Sequence, residues 1–281
     1  TLAIQRIGAI PVFADIDPAT GCLDAESVAT CISSSTKAVL PVHLYGRAAD
    51  LDALSTVCEA HGLPLIEDCA QAHGALHRGR PVGSVGRCGA WSFYPTKNLG
   101  AIGDAGALTT ADAELAEVAR CLRNYGQRDR YHHDLPGMNS RLDELQAALL
   151  RERLSWLNAW TARRRDIAAR YRHGIDHPLL KPLSEANDPA SDVHHLYVLL
   201  TPDRDQVRSF LQLRGVPTLV HYPLPCNKQR AIGSHRVAPS GIPHTLKHCK
   251  RCFSLPIHPF LSDDEVNHVI NACNLAPTEI S

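Results

Sequence analysis

The stretch Leu63-Pro64-Leu65-Ile66-Glu67-Asp68-Cys69-Ala70-Gln71 leads an apolar run directly into polar residues. A helical pattern ends just before it at His61-Gly62, and the run itself has the length and composition of a strand. Its unbroken apolar character is typical of a strand that is buried on both faces of a sheet. Such strands alternate with helices in α/β proteins, where polar groups at the strand ends face a ligand crevice.

The same alternation continues on both sides of this stretch. Apolar runs predict further strands over residues 10–15, 38–43, 90–94 and 105–109. Helical spacing predicts helices over residues 25–32, 51–58, 114–122 and about 141–171. The sequence therefore predicts an α/β fold with a mostly parallel sheet sandwiched by helices.

The pattern changes after residues 180–192, a connection rich in Pro, Asn, Asp and Ser. The segment that follows predicts strands over residues 195–200 and 217–222, with a helix between them that ends at Gly215. Ser262 and Glu265 have the spacing of a capping box at the start of a last helix. These elements indicate a smaller α+β unit, and we expect two domains, residues 1–160 and 161–281.

Composition limits the class of partner. Lys+Arg and Asp+Glu are both 29, so the formal net charge is zero, which argues against nucleic acid or an anionic membrane surface as a partner. No apolar run is long enough for a membrane-spanning helix. The N-terminus has no secretory signal pattern, and we expect a cytoplasmic protein.

The ten cysteines have no disulfide framework spacing and lie mostly in apolar periodic segments, which favours buried reduced thiols. His248-Cys249-x-x-Cys252 is the stretch closest to a zinc motif. A zinc site usually needs a second ligand pair, and none follows at a suitable spacing. Cys249 and Cys252 also fit one helical turn, so we predict no metal site.

Two of the polar stretches contain residue types that suit a carbonyl-bearing cofactor. Asp68 ends an apolar strand, where a carboxylate can keep a pyridinium nitrogen protonated. Ser92-Phe93-Tyr94-Pro95-Thr96-Lys97-Asn98-Leu99-Gly100 places a lysine in a turn, where partial burial favours Schiff-base chemistry. Ser92 is near enough in sequence to bind a phosphate oxygen of the same ligand. Taken singly, a surface carboxylate and a solvated lysine are the ordinary interpretations.

Two further stretches are equally ambiguous by themselves. The small residues of Gly103-Asp104-Ala105-Gly106 allow a close approach of backbone to a ligand, or simply a tight turn. Asn139-Ser140-Arg141 precedes a long helix, where an amide and a guanidinium suit either a phosphate or an ordinary cap.

Together, these stretches resemble the DegT/DnrJ/EryC1/StrS family of sugar aminotransferases. The resemblance is carried, in order, by motifs that extend over nearly the whole chain: His43-Leu44-Tyr45-Gly46, Glu67-Asp68-x-Ala70-Gln71-Ala72-His73-Gly74, the Lys97 stretch, Gly103-Asp104, Asn139-Ser140-Arg141-Leu142-Asp143, His221-Tyr222-Pro223 and Ser254-Leu255-Pro256. It implies the pyridoxal phosphate (PLP)-dependent transferase fold of type I, like that of aspartate aminotransferase.

The resemblance also implies roles for particular residues. Lys97 would be the catalytic lysine that links to the cofactor. The cofactor contacts would be Asp68 at the pyridine nitrogen, Gln71 at the ring hydroxyl, Ser92 at the phosphate, and Asn139 at the phosphate of a partner subunit. Substrate contacts would be His43, Arg141 and His221.

The implied reaction moves an amino group from an amino acid, typically glutamate, to a nucleotide-linked keto-sugar. The stretches around Lys97 and Gly103-Asp104 are most similar to members that act on dTDP-linked 6-deoxy keto-hexoses. The implied assembly is a homodimer with shared active sites.

Two departures from the family pattern affect these expectations. Asn227 stands where the pattern after His-Tyr-Pro usually has a histidine. The family also has a long segment before the position of Thr1, which supplies a phosphate-binding turn and a residue that stacks on the cofactor ring, so we expect that the chain lacks the family's N-terminal segment.

Two alternatives stay open at the level of sequence. A related subgroup performs PLP-dependent sugar dehydration with histidine in place of the lysine, and Lys97 argues against that outcome. From another class, the chain is also compatible with a non-catalytic regulator or fragment that keeps the aminotransferase fold.

Overall fold

The computed structural model describes residues 1–278 as an α/β arrangement with separate apolar cores in its two halves. The helices are α1 (Leu2–Arg6), α2 (Ala25–Cys31), α3 (Leu51–Ala60), α4 (Ala113–Leu122), α5 (Glu144–Gly174), α6 (Arg204–Leu213), α7 (Pro243–Arg251) and α8 (Asp263–Asn274). The strands are β1 (Val12–Phe13), β2 (Ile66–Asp68), β3 (Leu76–His77), β4 (Arg80–Pro81), β5 (Cys88–Ser92), β6 (Gly106–Thr109), β7 (Gln127–Asp129), β8 (His132–His133), β9 (Lys181–Pro182), β10 (Tyr197–Leu200), β11 (Arg236–Val237) and β12 (Cys252–Leu255).

The N-terminal sheet has the order β2-β5-β6, with β2 parallel to β5 and β5 antiparallel to β6. The predicted strand over residues 38–43 is present only as isolated parallel bridges from Val39 and Val42 to the β2 side. Pro41 accepts a hydrogen bond from the Asp68 N–H, but it has no N–H to donate, so the ladder is interrupted at this position. Asp68 and Ser92 end two neighbouring strands, which brings them to one edge of the sheet.

The C-terminal sheet is antiparallel, with the order β12-β10-β9, and it packs against α6, α8 and the end of α5. The strand predicted over residues 195–200 is confirmed as β10, shortened at its start. The strand predicted over residues 217–222 is wrong, because only Leu219 forms a bridge, to Ser254 of β12. Pro217 and Pro223 on either side cannot donate to a ladder.

Helix α5 connects the two cores. Near its start, Leu150 and Leu157 pack in a small cluster with Leu99 and Ala101 of the Lys97 turn region. Near its end, Ile167, Ala168 and Tyr171 are buried in the C-terminal core. The predicted boundary near residue 160 therefore falls inside a continuous helix, and the division into domains 1–160 and 161–281 stays a prediction.

Local signals set the helix ends. Side chains of Asp50, Asp112 and Asp203 accept N–H groups at the starts of α3, α4 and α6. The capping box of Ser262 and Glu265 is confirmed, since each side chain accepts the other residue's backbone N–H.

The cysteines are free thiols within the described residues. The prediction that Cys249 and Cys252 share one helical turn is wrong, because α7 ends at Arg251 and Cys252 begins β12. Along residues 1–278, no helix combines the length and the apolar character that crossing a membrane requires.

Candidate active site

Asp68 lies at the carboxyl end of β2, partly buried. Its Oδ1 accepts the Ala70 N–H at 3.0 Å, which fixes the carboxylate against the turn that follows the strand. Among residues 1–278, no group donates to Oδ2. One oxygen therefore holds the side chain in place, while the other is available to a cationic or N–H-bearing ligand.

Lys97 lies in a tight turn that follows β5. Its N–H donates to the Tyr94 carbonyl at 2.9 Å, and the Ala101 N–H donates to the Phe93 carbonyl at 2.7 Å. A Cβ on Gly100 would lie 2.5 Å from the Pro95 carbonyl oxygen, so only glycine fits this closure.

Burial lowers the pKa of the Lys97 ammonium below its ordinary value, and the charge of Asp68 partly offsets this effect. The two predicted site residues are thus electrostatically coupled across the strand ends. A lysine of this kind has a larger neutral fraction near pH 7 than a solvated one, which suits nucleophilic attack on a carbonyl.

Gln71 is 5% exposed, and both functions of its amide are engaged. The Tyr45 N–H donates to Oε1 at 2.7 Å, and Nε2 donates to the Tyr222 hydroxyl at 3.1 Å. Tyr45 has a positive φ of 64°, which turns its N–H toward Gln71. Burial raises the pKa of the Tyr222 hydroxyl, and the nearby charge of Asp68 raises it further. The hydrogen bond from Gln71 acts in the opposite direction.

Ser92 is the last residue of β5, and its Oγ accepts the Tyr94 N–H at 3.3 Å. This contact uses the hydroxyl as an acceptor and leaves its hydrogen available to a ligand oxygen. Ser92 lies at the strand end, five residues before Lys97, and its contact with a phosphate stays a prediction.

Three histidines around Lys97 lie on three different segments of the chain. Burial lowers the pKa of His73 to about 4, lowers that of His195 well below its usual range, and lowers that of His221. The positive charge of Lys97 contributes to the lowered pKa of each of them. All three are therefore neutral near pH 7.

Sequence analysis assigned a role to His221 alone among these histidines. The Nδ1 atom of His221 lies 2.9 Å from the Ser254 hydroxyl, and the side chain is half-buried. The buried ring of His73 packs at 5.3 Å from that of Trp91 and at 5.7 Å from that of Phe93, and a contact with the Ser92 backbone partly offsets the effect of burial on its pKa. His73 was visible within a quoted motif, but only the fold brings it beneath the lysine turn.

The structure does not support a substrate contact at His43. This side chain is fully buried. The Ala49 N–H donates to its Nδ1 at 3.0 Å, so the hydrogen is on Nε2, which donates to Glu67 at 3.0 Å. With both nitrogens bonded inside the protein, His43 has no atom to offer to a ligand.

Asn139 and Arg141 lie apart from the strand ends, on the exposed segment before α5. The Arg141 Nε donates to the Asn139 Oδ1 at 3.2 Å, and the guanidinium lies 5.5 Å from the centre of the Tyr125 ring. The contact of Asn139 with a partner's phosphate and that of Arg141 with substrate stay predictions. Asn227, at the position of a family histidine, lies in a 3₁₀ turn, and its Oδ1 is buried without a partner among the described residues.

Within residues 1–278, one group of side chains has the proximity of metal ligands: His43, Glu67 and Cys69. The Glu67 carboxylate, however, already accepts four hydrogen bonds, from Nε2 of His43 and from the N–H groups of Gly83, Val85 and Gly86, at 2.7–3.0 Å. Burial raises the pKa of the Cys69 thiol, which disfavours the thiolate that a metal needs. The group is a hydrogen-bonded core cluster.

The sequence of this chain is similar to those of known aminotransferases, in agreement with the lysine and carboxylate of this site. The sequence model of the DegT/DnrJ/EryC1/StrS aminotransferase family matches residues 1–274. The chain is 45% identical over 269 residues to the "erythromycin biosynthesis sensory transduction protein EryC1" of Saccharopolyspora erythraea, covering 96% of this chain and 74% of that protein. It is 44% identical over 277 residues to the dTDP-3-amino-3,4,6-trideoxy-α-D-glucose transaminase of Streptomyces venezuelae, covering 96% and 72%.

Solved structures give the same relationship. The crystal structure of DesV from S. venezuelae superposes with a TM-score of 0.92 at 44% identity, covering 97% of this chain and 74% of that one. The expectation of a type I fold is thereby confirmed.

Proposed function

The chain belongs to the DegT/DnrJ/EryC1/StrS aminotransferase family, and from this membership we propose that it transfers an amino group from glutamate to a dTDP-linked 6-deoxy keto-hexose. The enzyme class is PLP-dependent transamination, and nucleotide-sugars are the substrate class of its relatives. The observation that carries the proposal is the placement of Lys97, with its lowered pKa, beside the carboxylate of Asp68.

The residues at the strand ends fit PLP. The free Oδ2 of Asp68 suits a protonated pyridine nitrogen, and the hydroxyl of Ser92 suits a phosphate oxygen. The amide of Gln71, held from both ends, suits the ring hydroxyl. Bound PLP supplies an electron sink for transamination. These assignments of individual residues belong to the proposal.

Lys97 carries the chemistry of the protein itself. Its lowered pKa increases the fraction of neutral Nζ, the form that would hold the carbonyl group of the cofactor and that, whenever the amine is free, would accept and return a proton. The charge of Asp68 partly offsets the effect of burial on the pKa of Lys97, and its Oδ2 has no donor among residues 1–278. The neutral histidines around Lys97 add no competing positive charge.

The choice of sugar rests on the relatives. The S. venezuelae transaminase is named for a dTDP-linked 3-amino sugar that lacks hydroxyls at carbons 4 and 6. We place the substrate of this chain in the same chemical class, a dTDP-linked keto-sugar. The homodimer with shared sites, the cytoplasmic location and the substrate contacts at Arg141 and His221 are parts of the same proposal.

A second candidate follows from the name of the S. erythraea relative, which describes a sensory transduction protein. A regulator that keeps this fold would not need a lysine with a lowered pKa beside a partly unpaired carboxylate. The site geometry therefore favours catalysis over regulation.

The substrate assignment is tested by incubating the protein with PLP, glutamate and a panel of keto-sugars, followed by mass spectrometry of the products. The panel includes dTDP-linked 3-keto and 4-keto 6-deoxyhexoses, with UDP-linked 3-keto sugars as the competing class. We expect an amino sugar from a dTDP-linked substrate, at a higher kcat/KM than from any UDP-linked one. Amination of the UDP-linked sugars alone would contradict the assignment, and no amination of any sugar would favour the regulator.

A further inference from the structure

The residue that follows Lys97 is tied to a distant segment of the chain. The Asn98 side chain is 5% exposed, and its Nδ2 donates to the carbonyl oxygen of Val193 at 3.1 Å. Its Oδ1 lies 3.1 Å from the Nδ1 of His195. Because an amide oxygen can only accept, the hydrogen of the neutral His195 ring is on Nδ1, and the lone pair is on Nε2. One buried amide thus joins the lysine turn to residues 193–195 by two hydrogen bonds.

The segment at the other end of these bonds is firmly held. The Val193 N–H donates to the Gly46 carbonyl at 2.9 Å, and Arg164 Nη1 donates to the His194 carbonyl at 3.1 Å. A Cβ on Gly46 would lie 2.7 Å from the backbone nitrogen of His195, so the two backbones are in direct contact. Residues 193–195 are therefore fixed in position, and their hydrogen bonds with Asn98 hold that side chain in place.

Few hydrogen bonds lie within the lysine turn itself. Its closure depends on two backbone hydrogen bonds, from Lys97 to Tyr94 and from Ala101 to Phe93. These bonds set the path of the chain, and Leu99 and Ala101 pack against Leu150 and Leu157 of α5, but neither feature fixes the turn relative to residues 193–195. The Asn98 amide does so at the position next to the lysine.

The pKa of the Lys97 amine depends on the groups around it, so it should change if the hydrogen bonds of Asn98 are lost. Asp68 faces it from the end of β2, and the neutral histidines His73, His195 and His221 face it from three other segments. Burial lowers the pKa of Lys97. A turn that moves outward would hydrate the ammonium and return its pKa toward the ordinary value.

We propose that Asn98 and His195 are positioning residues for Lys97, and that the hydrogen bond from the His195 Nδ1 to the Asn98 Oδ1 holds the lysine in the half-buried wall of the site. The importance of this for catalysis rests on the proposed function. The positioning itself does not, since it concerns a protein hydrogen bond and the environment of one amine.

The test measures the reactivity of Lys97 without cofactor or substrate. The protein is labelled with a trace of acetic anhydride across a range of pH, and mass spectrometry quantifies acetylation of each lysine, with exposed Lys37 as the internal reference. The variants are Asn98→Ala, His195→Gln and His195→Asn. An asparagine amide nitrogen takes the place of Nδ1, whereas a glutamine amide takes that of Nε2. Only His195→Asn therefore keeps the donor to Asn98.

A matched control removes a histidine far from the site. His177 is 4% exposed, with its Nε2 3.0 Å from the Ala276 carbonyl and its Nδ1 accepting the Leu179 N–H at 3.2 Å. His177→Ala therefore deletes an equally buried and bonded ring from the C-terminal core. Thermal unfolding of all variants measures their general loss of stability.

In the parent protein, Lys97 is expected to reach half-maximal reactivity at a lower pH than Lys37. In Asn98→Ala and His195→Gln that midpoint moves up toward the midpoint of Lys37, while in His195→Asn and His177→Ala it stays at the parent value. An unchanged midpoint in Asn98→Ala and His195→Gln, with a loss of stability like that of His177→Ala, would show a purely structural pair and overturn the proposal. A midpoint that moves equally in His195→Asn would assign the effect to Nε2 and overturn it as well.

Discussion

At the scale of single residues, Asp68 divides its two carboxylate oxygens between the protein and the site. Asp68→Asn keeps an oxygen that can accept the Ala70 N–H but removes the charge beside Lys97. We expect kcat for transamination to fall by about 10²–10³-fold, the range for loss of one preorganised electrostatic contact. The free energy of unfolding should change by less than about 0.5 kcal/mol. Steady-state kinetics and urea unfolding measure the two effects, and equal activity in both proteins would exclude an electrostatic role.

Glu67, the neighbour of Asp68, faces the interior and holds the strand end in place. Burial by itself would raise its pKa, but hydrogen bonds from His43, Gly83 and Gly86 outweigh burial and bring the pKa below its ordinary value. A carboxylate with a lowered pKa contributes stability that is present above the unfolded pKa, near 4.3, and is lost as the pH falls through the folded pKa.

Glu67→Gln should therefore lower the free energy of unfolding at pH 7 by about 3 kcal/mol, because a neutral amide cannot satisfy all four donors. Its stability should also decline less steeply than that of the parent below about pH 4.3. The measurement is urea unfolding between pH 3 and 7, with exposed Glu59→Gln as the control, which should stay within about 0.5 kcal/mol of the parent. If the free energies of unfolding of Glu67→Gln and of the parent fell equally steeply below about pH 4.3, this account would be contradicted.

Residue types made Lys97, Asp68 and Ser92 possible site residues, the family resemblance selected them together with Gln71, and the fold brings these four to one edge of the sheet. The same reasoning failed for His43, because a motif does not reveal which way a side chain points from its turn. Asn98 and His195 were equally hidden, since a hydrogen bond between positions so far apart in sequence depends on the tertiary fold.

At the scale of elements, the start of α7 is capped by a residue from the opposite end of the chain. Asp15 accepts the N–H groups of His244 and Thr245 at 2.9 and 2.8 Å, and the Thr245 hydroxyl at 2.7 Å. Asp15→Ala should lower the free energy of unfolding by about 2 kcal/mol, because it removes both a helix cap and a long-range contact.

Asp24→Ala is the matched control for this prediction. Asp24 caps only its own helix, α2, through the N–H groups of Glu26 and Ser27. Its loss should cost about 1 kcal/mol, as for an ordinary cap. Denaturant unfolding compares the two variants, and a smaller loss for Asp15→Ala than for Asp24→Ala would contradict the idea of a long-range cap.

Helices were easier to predict than strands, for a physical reason. Capping side chains and one-sided apolar spacing are local signals: α2, α3 and α4 begin at aspartate caps, and α8 begins at the capping box of Ser262. A strand requires a partner with matching donors. The apolar runs over residues 38–43 and 217–222 contain or adjoin prolines, so their pairing is reduced to single bridges.

At the scale of the whole molecule, the strand ends of the N-terminal sheet and residues 193–195, which precede β10, meet at the lysine turn. The amide of Asn98 joins the lysine turn to the carbonyl of Val193, while the guanidinium of Arg164 joins α5 to the carbonyls of His194 and His195. The alternating pattern of the first half predicted the α/β class. The contacts of residues 193–195 could not be predicted from the sequence, because their partners, such as Gly46 and Asn98, lie far away in the chain.

The central claim is that Lys97 is the catalytic lysine of a PLP-dependent aminotransferase, and the most direct test compares Lys97→Ala with the parent. The measurement is the visible absorption band of protein-bound PLP after dialysis, together with transamination of the preferred keto-sugar, with exposed Lys37→Ala as the control. We expect Lys97→Ala to lose the band and at least about 10²–10⁴-fold in rate, whereas Lys37→Ala keeps both. A Lys97→Ala protein that retains the band and turns over like the parent would contradict the account.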